Sequence, residues 1–198
     1  MESILFKKIL SILLISYSQL SAYHSIMVNM NNEELETNLN LDLAQFVDKF
    51  PVNQYFIGYD YLYIENNTDV NTMQSLKLLM KNRLPNYRPI TFGLGVKFIS
   101  ANIKQRDISA VPFGFSVKFE LPINSLPISF NAQVFYSPKP LTFSDGDTYL
   151  EHKYELAFEV IKKGQIFIGY RDISSILQQS NQVLEFSKIP YIGLRIGF

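Results

Sequence analysis

The chain has 198 residues and 18 basic and 18 acidic side chains, so its net charge does not point to nucleic acid as a partner. It has no cysteine, which excludes a disulfide framework and a thiolate metal site. The length fits one domain, and past the N-terminal region no apolar run approaches the 18 residues of a transmembrane helix.

The first predicted element is a secretory signal peptide over residues 1–22. Lys7 and Lys8 form a basic region, an apolar run of nine residues follows, and small residues then lead to Ala22. The alternatives are a buried helix and a membrane anchor, but nine apolar residues are too few to span a bilayer, which takes about 20. We therefore predict cleavage after Ala22 and a single domain over residues 23–198.

Ten segments then alternate between apolar and polar residues. In the clearest of them, leucines recur at every second position from Leu39 to Leu43, and Asn40 and Asp42 lie between them. Period two with one apolar face indicates a half-buried strand. The ten predicted strands are residues 24–31, 35–43, 53–65, 73–82, 90–100, 110–121, 127–137, 147–160, 165–174 and 187–198.

The number and length of these strands predict an all-β fold, an antiparallel transmembrane β-barrel of about ten strands. Strands of about 9–11 residues cross a bilayer when tilted, and an even number brings both chain ends to one side. Tyrosines cluster near strand ends, as in an aromatic girdle. A soluble β-sandwich or lipocalin is the alternative, because alternation alone does not say which face is inside. The predicted external loops are 32–34, 66–72, 101–109, 138–146 and 175–186, and the predicted periplasmic ones are 44–52, 83–89, 122–126 and 161–164.

The last predicted strand carries an apolar face that ends on a terminal phenylalanine. Its members are Ile192, Leu194, Ile196 and Phe198. Such an ending is typical of the closing strand of a bacterial outer-membrane barrel. Together with the signal peptide it predicts export to the outer membrane of a diderm bacterium. The expected partners are outer-membrane lipids and, during insertion, the barrel assembly machinery, and the oligomeric state stays open.

Charged residues on the polar faces are predicted to line the barrel lumen. Seven are basic and seven acidic, which suits a narrow lumen because an unpaired buried charge is costly. The favoured interpretation is an ion-pair plug, and the alternative is a selective channel lined by charge rings. Ten strands enclose little space, which weighs against the channel. The predicted lumen charge network is Lys77, Lys97, Lys118, Glu120, Glu151, Lys153, Glu155, Arg171 and Arg195, with Lys81, Glu36, Asp42, Asp60 and Glu159 on the same faces.

Few residues could support catalysis or metal binding. The histidines are His24, at the start of the first strand, and His152, on the predicted lipid-facing side of the eighth. A nucleophile–histidine–acid arrangement needs a histidine beside the nucleophile, and two histidines alone make no convincing transition-metal site. Asp145-Gly146-Asp147 resembles a fragment of a calcium loop but lacks its length. We expect no catalytic residues, cofactor or metal, and a lipid-modifying or proteolytic barrel is a distant alternative.

Two motifs resemble the YfaZ family of outer-membrane proteins. Residues 134–149 read VFYSPKPLTFSDGDTY, residues 168–173 read IGYRDI, and the closing strand follows. In that family a tyrosine–proline step leads to Leu, Ser or Thr, Phe, Ser or Gly, and Asp, then to a strand with Tyr and Glu, and then to GYR. The GLGVK segment at 93–97 agrees in architecture. The resemblance implies an outer-membrane barrel without a defined activity.

The first motif also predicts the shape of the barrel mouth. Leu141 and Phe143 are apolar within a predicted external loop, so we expect them to fold back over the mouth. Arg171 should face the lumen among Glu151, Glu155 and Glu159. The sequence thus favours a small non-enzymatic barrel with a structural or surface-contact role, and a narrow channel for small solutes or ions is the alternative.

Overall fold

The computed structural model describes residues 24–47, 49–52, 54–65, 70–84, 89–123, 127–178 and 182–198. The predicted signal peptide, residues 1–22, lies outside the described residues. No helix in this part of the chain is long and apolar enough to cross a membrane. The strands are β1 (Ser25–Met30), β2 (Glu34–Asp42), β3 (Tyr55–Glu65), β4 (Val70–Arg83), β5 (Ile90–Ile103), β6 (Arg106–Ala110), β7 (Phe113–Leu121), β8 (Ile128–Ser137), β9 (Thr142–Ser144), β10 (Gly146–Ile161), β11 (Gly164–Leu177) and β12 (Val183–Gly197), with 3-10 turns at Leu43–Gln45 and Lys139–Leu141.

Ten of these strands form a closed antiparallel barrel. The order around the barrel is β1, β2, β3, β4, β5, β7, β8, β10, β11 and β12, and β12 pairs back onto β1. At this seam Ile196 lies opposite Ile26, and Ile192 lies opposite Met30. The seam ends where the amide of His24 donates to the carbonyl of Phe198 (3.2 Å) and the amide of Phe198 donates back (2.9 Å). We call this the near end of the barrel, and the opposite one the far end.

The ten barrel strands correspond in order to the ten predicted ones, but two further strands lie in predicted loops. β6 lies partly in the predicted loop 101–109 and folds back on β5 through Lys104 and Gln105, whose φ angles are 49° and 61°. β9 lies in the predicted loop 138–146 and pairs with β6. A strand of three residues is too short to show alternation, and a left-handed turn built without glycine gives no signal in the composition.

Apolar side chains cover the outer surface of the barrel. On β5, Phe92, Leu94 and Phe98 are each about half exposed, whereas Lys97 points inward and is 3% exposed. The same alternation runs around the barrel, so the exposed apolar area far exceeds the few hundred Å² of a typical soluble monomer. The apolar face of β5 from Ile90 to Phe98 is about 27 Å long, or about 21 Å in height at a strand tilt near 40°. These proportions are those of a transmembrane barrel, and they exclude the lipocalin alternative.

At the far end, beyond this lipid-facing band, the polarity of the two faces reverses. The outward residues of β5 become Ser100 and Asn102, while Ile99 and Ile103 point inward and are buried. Tyr154 and Tyr170 face each other on the outer surface at this level, as in an aromatic girdle. The inward apolar residues form one cluster, the far-end apolar cluster: Leu62, Ile64, Met73, Ile99, Ala101, Ile103, Ile108, Ala110, Tyr149, Ile173, Leu177, Leu184 and Phe186.

The prediction that Phe143 covers the barrel mouth is wrong. Its side chain is 48% exposed on the outer face of β9, opposite Ser109. The neighbouring Thr142 is the residue that points inward and is buried, and its hydroxyl lies 3.0 Å from that of Ser137. Because successive side chains of a strand alternate between faces, pairing β9 to β6 in this register places Thr142 inside and Phe143 outside.

Candidate functional site in the barrel lumen

A buried arginine crosses the lumen just below the far-end apolar cluster. Arg171 on β11 is 0% exposed, and its guanidinium donates to the carboxylates of Glu34 and Glu36 on β2. Its Nε donates to the Ser187 hydroxyl at 2.9 Å, and Asn29 accepts a further hydrogen bond at 3.3 Å. Charge-assisted hydrogen bonds of this kind are stronger than neutral ones. The arginine therefore joins β11 to β2, three strands away around the barrel.

Two lysines continue the ion pairs across the lumen at the same level. Lys97 Nζ lies 2.7 and 2.8 Å from the two carboxylate oxygens of Glu151. Lys153 Nζ lies 2.5 Å from Glu36 and 3.6 Å from Glu151, so it links the second pair to Arg171. The Tyr149 hydroxyl also donates to Glu151, at 2.9 Å. All these ionisable groups are buried, and each carboxylate faces at least one cation.

A third pair depends on a glycine for its space. Lys77 Nζ lies 2.6 Å from the Asp60 carboxylate, which also accepts a hydrogen bond from Ser75 at 2.8 Å. A Cβ atom at Gly58 would lie 2.4 Å from Lys77 Cε and 2.5 Å from Asn40 Oδ1. The missing side chain at Gly58 thus lets Lys77 reach Asp60. The eight charged residues form what we call the mid-barrel network, with four cations and four carboxylates: Lys77, Lys97, Lys153, Arg171, Glu34, Glu36, Asp60 and Glu151.

The nine residues of the predicted lumen charge network lie at two levels. Five of them belong to the mid-barrel network. The other four lie closer to the near end, where Arg195 pairs with Glu155 at 2.6 Å and Lys118 pairs with Glu120 at 2.9 Å. The side chains of Lys118 and Glu120 are more than one third exposed, so they belong to the rim of the barrel and not to its buried centre.

The predicted partners of Arg171 are wrong. Glu151, Glu155 and Glu159 were expected, but the arginine pairs with Glu34 and Glu36. Glu34 falls in the predicted loop 32–34, although it opens β2 and points inward. The sequence did contain a signal for this residue: Glu34 and Glu36 continue the polar face of the strand one residue before its predicted start.

A second missed residue lies at the rim of the barrel. Arg83 falls in the predicted loop 83–89, but it is the last residue of β4. Its guanidinium lies 2.6 Å from the Glu120 carboxylate, so the Lys118–Glu120 pair is a group of three charges. All of them are substantially exposed.

Between the mid-barrel network and the near end the lumen contains a cavity of about 240 Å³, which we call the vestibule. Glu36, Asp60, Lys77 and Lys153 form its floor. Its wall and rim include Ser25, Lys81, Thr91, Ser116, Lys118, Asn131, Gln133, Glu155, Lys163, Gln165 and Arg195. The vestibule ends against the mid-barrel network, and none of the far-end apolar cluster lines it.

The histidines lie away from the lumen charges. His24 is at the near-end seam, where its Nδ1 accepts a 3.0 Å hydrogen bond from the amide of Asp42. His152 is on the outward side of β10, and its ring is stacked on that of Tyr154 at 6.5 Å. Neither lines the vestibule. Among the described residues no three His, Cys, Asp or Glu side chains are grouped as a metal site would require.

The fold and the lumen define the class of this protein, a ten-stranded antiparallel transmembrane β-barrel with charged residues in its interior. The chain belongs to the YfaZ family: the model of that family, described as YfaZ precursor, matches residues 1–198. The resemblance carried by residues 134–149 and 168–173 is therefore confirmed, and it extends over the whole chain.

Two solved structures are similar to this chain at low identity. One is the NanC porin in a rhombohedral crystal form, with 9% identity over 88% of this chain and 97% of that chain and a TM-score of 0.37. The other comes from work on the mechanism behind the in-meso crystallization of membrane proteins, with 10% identity over 89% of this chain and 83% of that chain and a TM-score of 0.38. The curated proteins contain no match.

Proposed function

We propose that this protein is a small, non-enzymatic outer-membrane barrel that does not conduct solutes and that has a structural or surface-contact role. The observation that supports the proposal is the double obstruction of the described lumen. The mid-barrel network fills one level with buried ion pairs, and the far-end apolar cluster fills the next with packed side chains.

Each level alone opposes the passage of a hydrated ion. At the first, Arg171 would have to leave Glu34 and Glu36, and breaking a buried pair costs about 3–5 kcal/mol. At the second, an ion would have to shed its water among residues such as Ile99, Ile108 and Ile173, and an apolar surrounding does not replace hydration.

The proposed location and partners of the protein are supported by its family membership and by the apolar outer surface of the barrel. Membership of the YfaZ family, the predicted signal peptide and the lipid-facing band support export and insertion into an outer membrane. Outer-membrane lipids are then the partners of the apolar band, and the barrel assembly machinery is the proposed partner during insertion.

Single-channel recording in planar bilayers tests the proposal. The mature chain, residues 23–198, is purified from membranes, and a heat-dependent shift on a gel verifies that it is folded. We expect no steady openings under conditions in which a porin run in parallel conducts. Steady openings whose conductance changes when Lys97 or Glu155 is neutralised would overturn the proposal in favour of a channel.

The second candidate is a narrow channel for small solutes or ions. It is favoured by one observation, the vestibule, which brings a charged cavity from the near end to the middle of the barrel. A channel would require the mid-barrel network and the far-end apolar cluster to rearrange together, so its openings should be rare and strongly dependent on voltage.

A further inference from the structure

The vestibule has an excess of positive charge. Of the side chains that line it, six are cationic and three are carboxylates. This balance differs from that of the mid-barrel network, in which cations and carboxylates are equal in number. The cations are Lys77, Lys81, Lys118, Lys153, Lys163 and Arg195, and the carboxylates are Glu36, Asp60 and Glu155.

Each of the three carboxylates is already bound to a cation. Asp60 pairs with Lys77 and Glu155 pairs with Arg195, both at 2.6 Å. Glu36 is shared by Lys153 and by the guanidinium of the mid-barrel arginine. Neither Lys81 nor Lys118 is within ion-pair distance of any of these three carboxylates, as far as the described residues show.

Lys81 is a vestibule cation that takes part in none of these ion pairs. Among the described residues no carboxylate lies within 4.0 Å of its Nζ. The ammonium group instead lies over the Phe56 ring, 5.0 Å from the ring centroid, in a cation–π contact. Within the described parts of the chain, Lys118 pairs only with Glu120, a rim carboxylate that it shares with Arg83. Exposed pairs of this type are weak, so Lys118 can turn to a stronger anion.

Neutral donors stand beside these lysines. Asn131 lines the vestibule, and its side-chain Nδ2 is buried and has no hydrogen-bond partner within the described structure. A buried donor without a partner costs about 1–3 kcal/mol, so the amide favours an acceptor in the cavity. Thr91, Ser116 and Gln133 add donors on the same wall.

We propose that the vestibule binds a small oxyanion, a phosphate or carboxylate group, between Lys81, Lys118 and the amide of Asn131. A volume of about 240 Å³ admits inorganic phosphate or an acid of monosaccharide size, below the roughly 300–1,000 Å³ typical of drug-sized ligands. The inference rests on the proposed function in one respect: a lumen closed at mid-barrel makes the vestibule a site that holds an anion and does not pass it onward.

Calorimetric titration of the folded mature protein in a nonionic detergent tests this site. The probes are inorganic phosphate and glucuronate, at constant ionic strength held with sodium chloride. We expect saturable 1:1 binding of at least one probe, weakened at least about tenfold by Lys81→Gln, because the substitution removes the cation that no carboxylate neutralises. Tighter phosphate binding identifies a phosphate site, and tighter glucuronate binding identifies a carboxylate site.

The matched control is Lys188→Gln, which removes a lysine that pairs with Glu185 near the far end. It should leave the affinity unchanged. Lys118→Gln provides the second test, and replaces the first if Lys81→Gln loses its heat-dependent gel shift. The proposal is overturned by an absence of saturable binding, by equal weakening in the Lys188 variant, or by full affinity in both vestibule variants. Because conductance is recorded separately, openings together with intact binding would overturn the closed lumen alone.

Discussion

Replacing Arg171 by methionine should destabilise the barrel far more than neutralising an exposed lysine such as Lys188. The methionine fills much of the space of the arginine but cannot donate to Glu34, Glu36 or Ser187. Glu36 keeps Lys153 at 2.5 Å, whereas Glu34 keeps only the Ser187 hydroxyl, at 2.8 Å. The variant therefore leaves one buried carboxylate without a cation.

The magnitude follows from that one orphaned charge. Removing one partner of a buried ion pair costs about 3–5 kcal/mol, and we expect a loss in that range for Arg171→Met at pH 7. The measurement is urea unfolding in lipid vesicles, followed by far-UV circular dichroism because the chain has no tryptophan. Adding Glu34→Gln to Arg171→Met removes the orphaned charge, so the double variant should recover more than half of the loss.

A double-mutant cycle decides whether this reasoning holds. It compares Arg171→Met, Glu34→Gln and the double variant, and the expected coupling free energy is at least about 1.5 kcal/mol. Lys188→Gln serves as the control and should not move the unfolding midpoint, because its pair with Glu185 is exposed. The reasoning is refuted if Arg171→Met lies within about 0.5 kcal/mol of the unmodified barrel, or if the two single effects simply add.

Three further substitutions test the lipid-facing band, the glycine contact and the far-end apolar cluster, each by urea unfolding in vesicles. Leu94→Arg places a charge in the band and should cost about 2–4 kcal/mol, whereas Asn102→Arg, above the band, should cost little; equal effects would contradict the assigned membrane boundary. Gly58→Ala should cost about 1–3 kcal/mol, because its new methyl would displace Lys77, and an unchanged midpoint would mean that the lysine moves freely. Ile173→Ala, at a fully buried site, should cost about 2–5 kcal/mol, and a loss below 1 kcal/mol would indicate a loosely packed cluster.

The strands and their faces could be predicted because they are local properties of the chain. The alternation of Leu39 and Leu41 with Asn40 and Asp42 depends only on neighbouring residues and on the two-residue period of a strand. The inward direction of Lys97 and Arg171 follows from the same period. Strand order around the barrel adds little uncertainty when consecutive strands pair.

The partners across the lumen could not be predicted, because they depend on how far each strand is shifted along its neighbour. Arg171 meets Glu34, which is 137 residues away in the chain, and no pattern in either strand specifies that meeting. The set of residues that line the vestibule depends on the same shifts between neighbouring strands. Local patterns placed Lys81 and Lys118 on inward faces, but only the assembled barrel brings them to the same cavity as Asn131.

The far-end apolar cluster was missed for a different reason. On β12 a β-bulge at Phe186 and Ser187 turns Phe186 inward, although Ile192, an even number of positions later, is outward. On β5 no bulge intervenes, and the apolar positions themselves change phase between Phe98 and Ile99. In the sequence such a change resembles the end of a strand. In the structure the strand continues, and the apolar side chains simply move from the lipid-facing surface to the interior.

This change of phase fixes the depth at which the barrel is inserted in the bilayer. If the barrel moved one pair of residues deeper, Ser100 and Asn102 would enter the hydrocarbon; if it moved outward, Phe98 would be left in water. Both displacements are unfavourable, so one bilayer surface is fixed relative to the strands. A thicker or thinner membrane must then be accommodated at the near end, where the rim carries the charges of Arg83, Lys118 and Glu120.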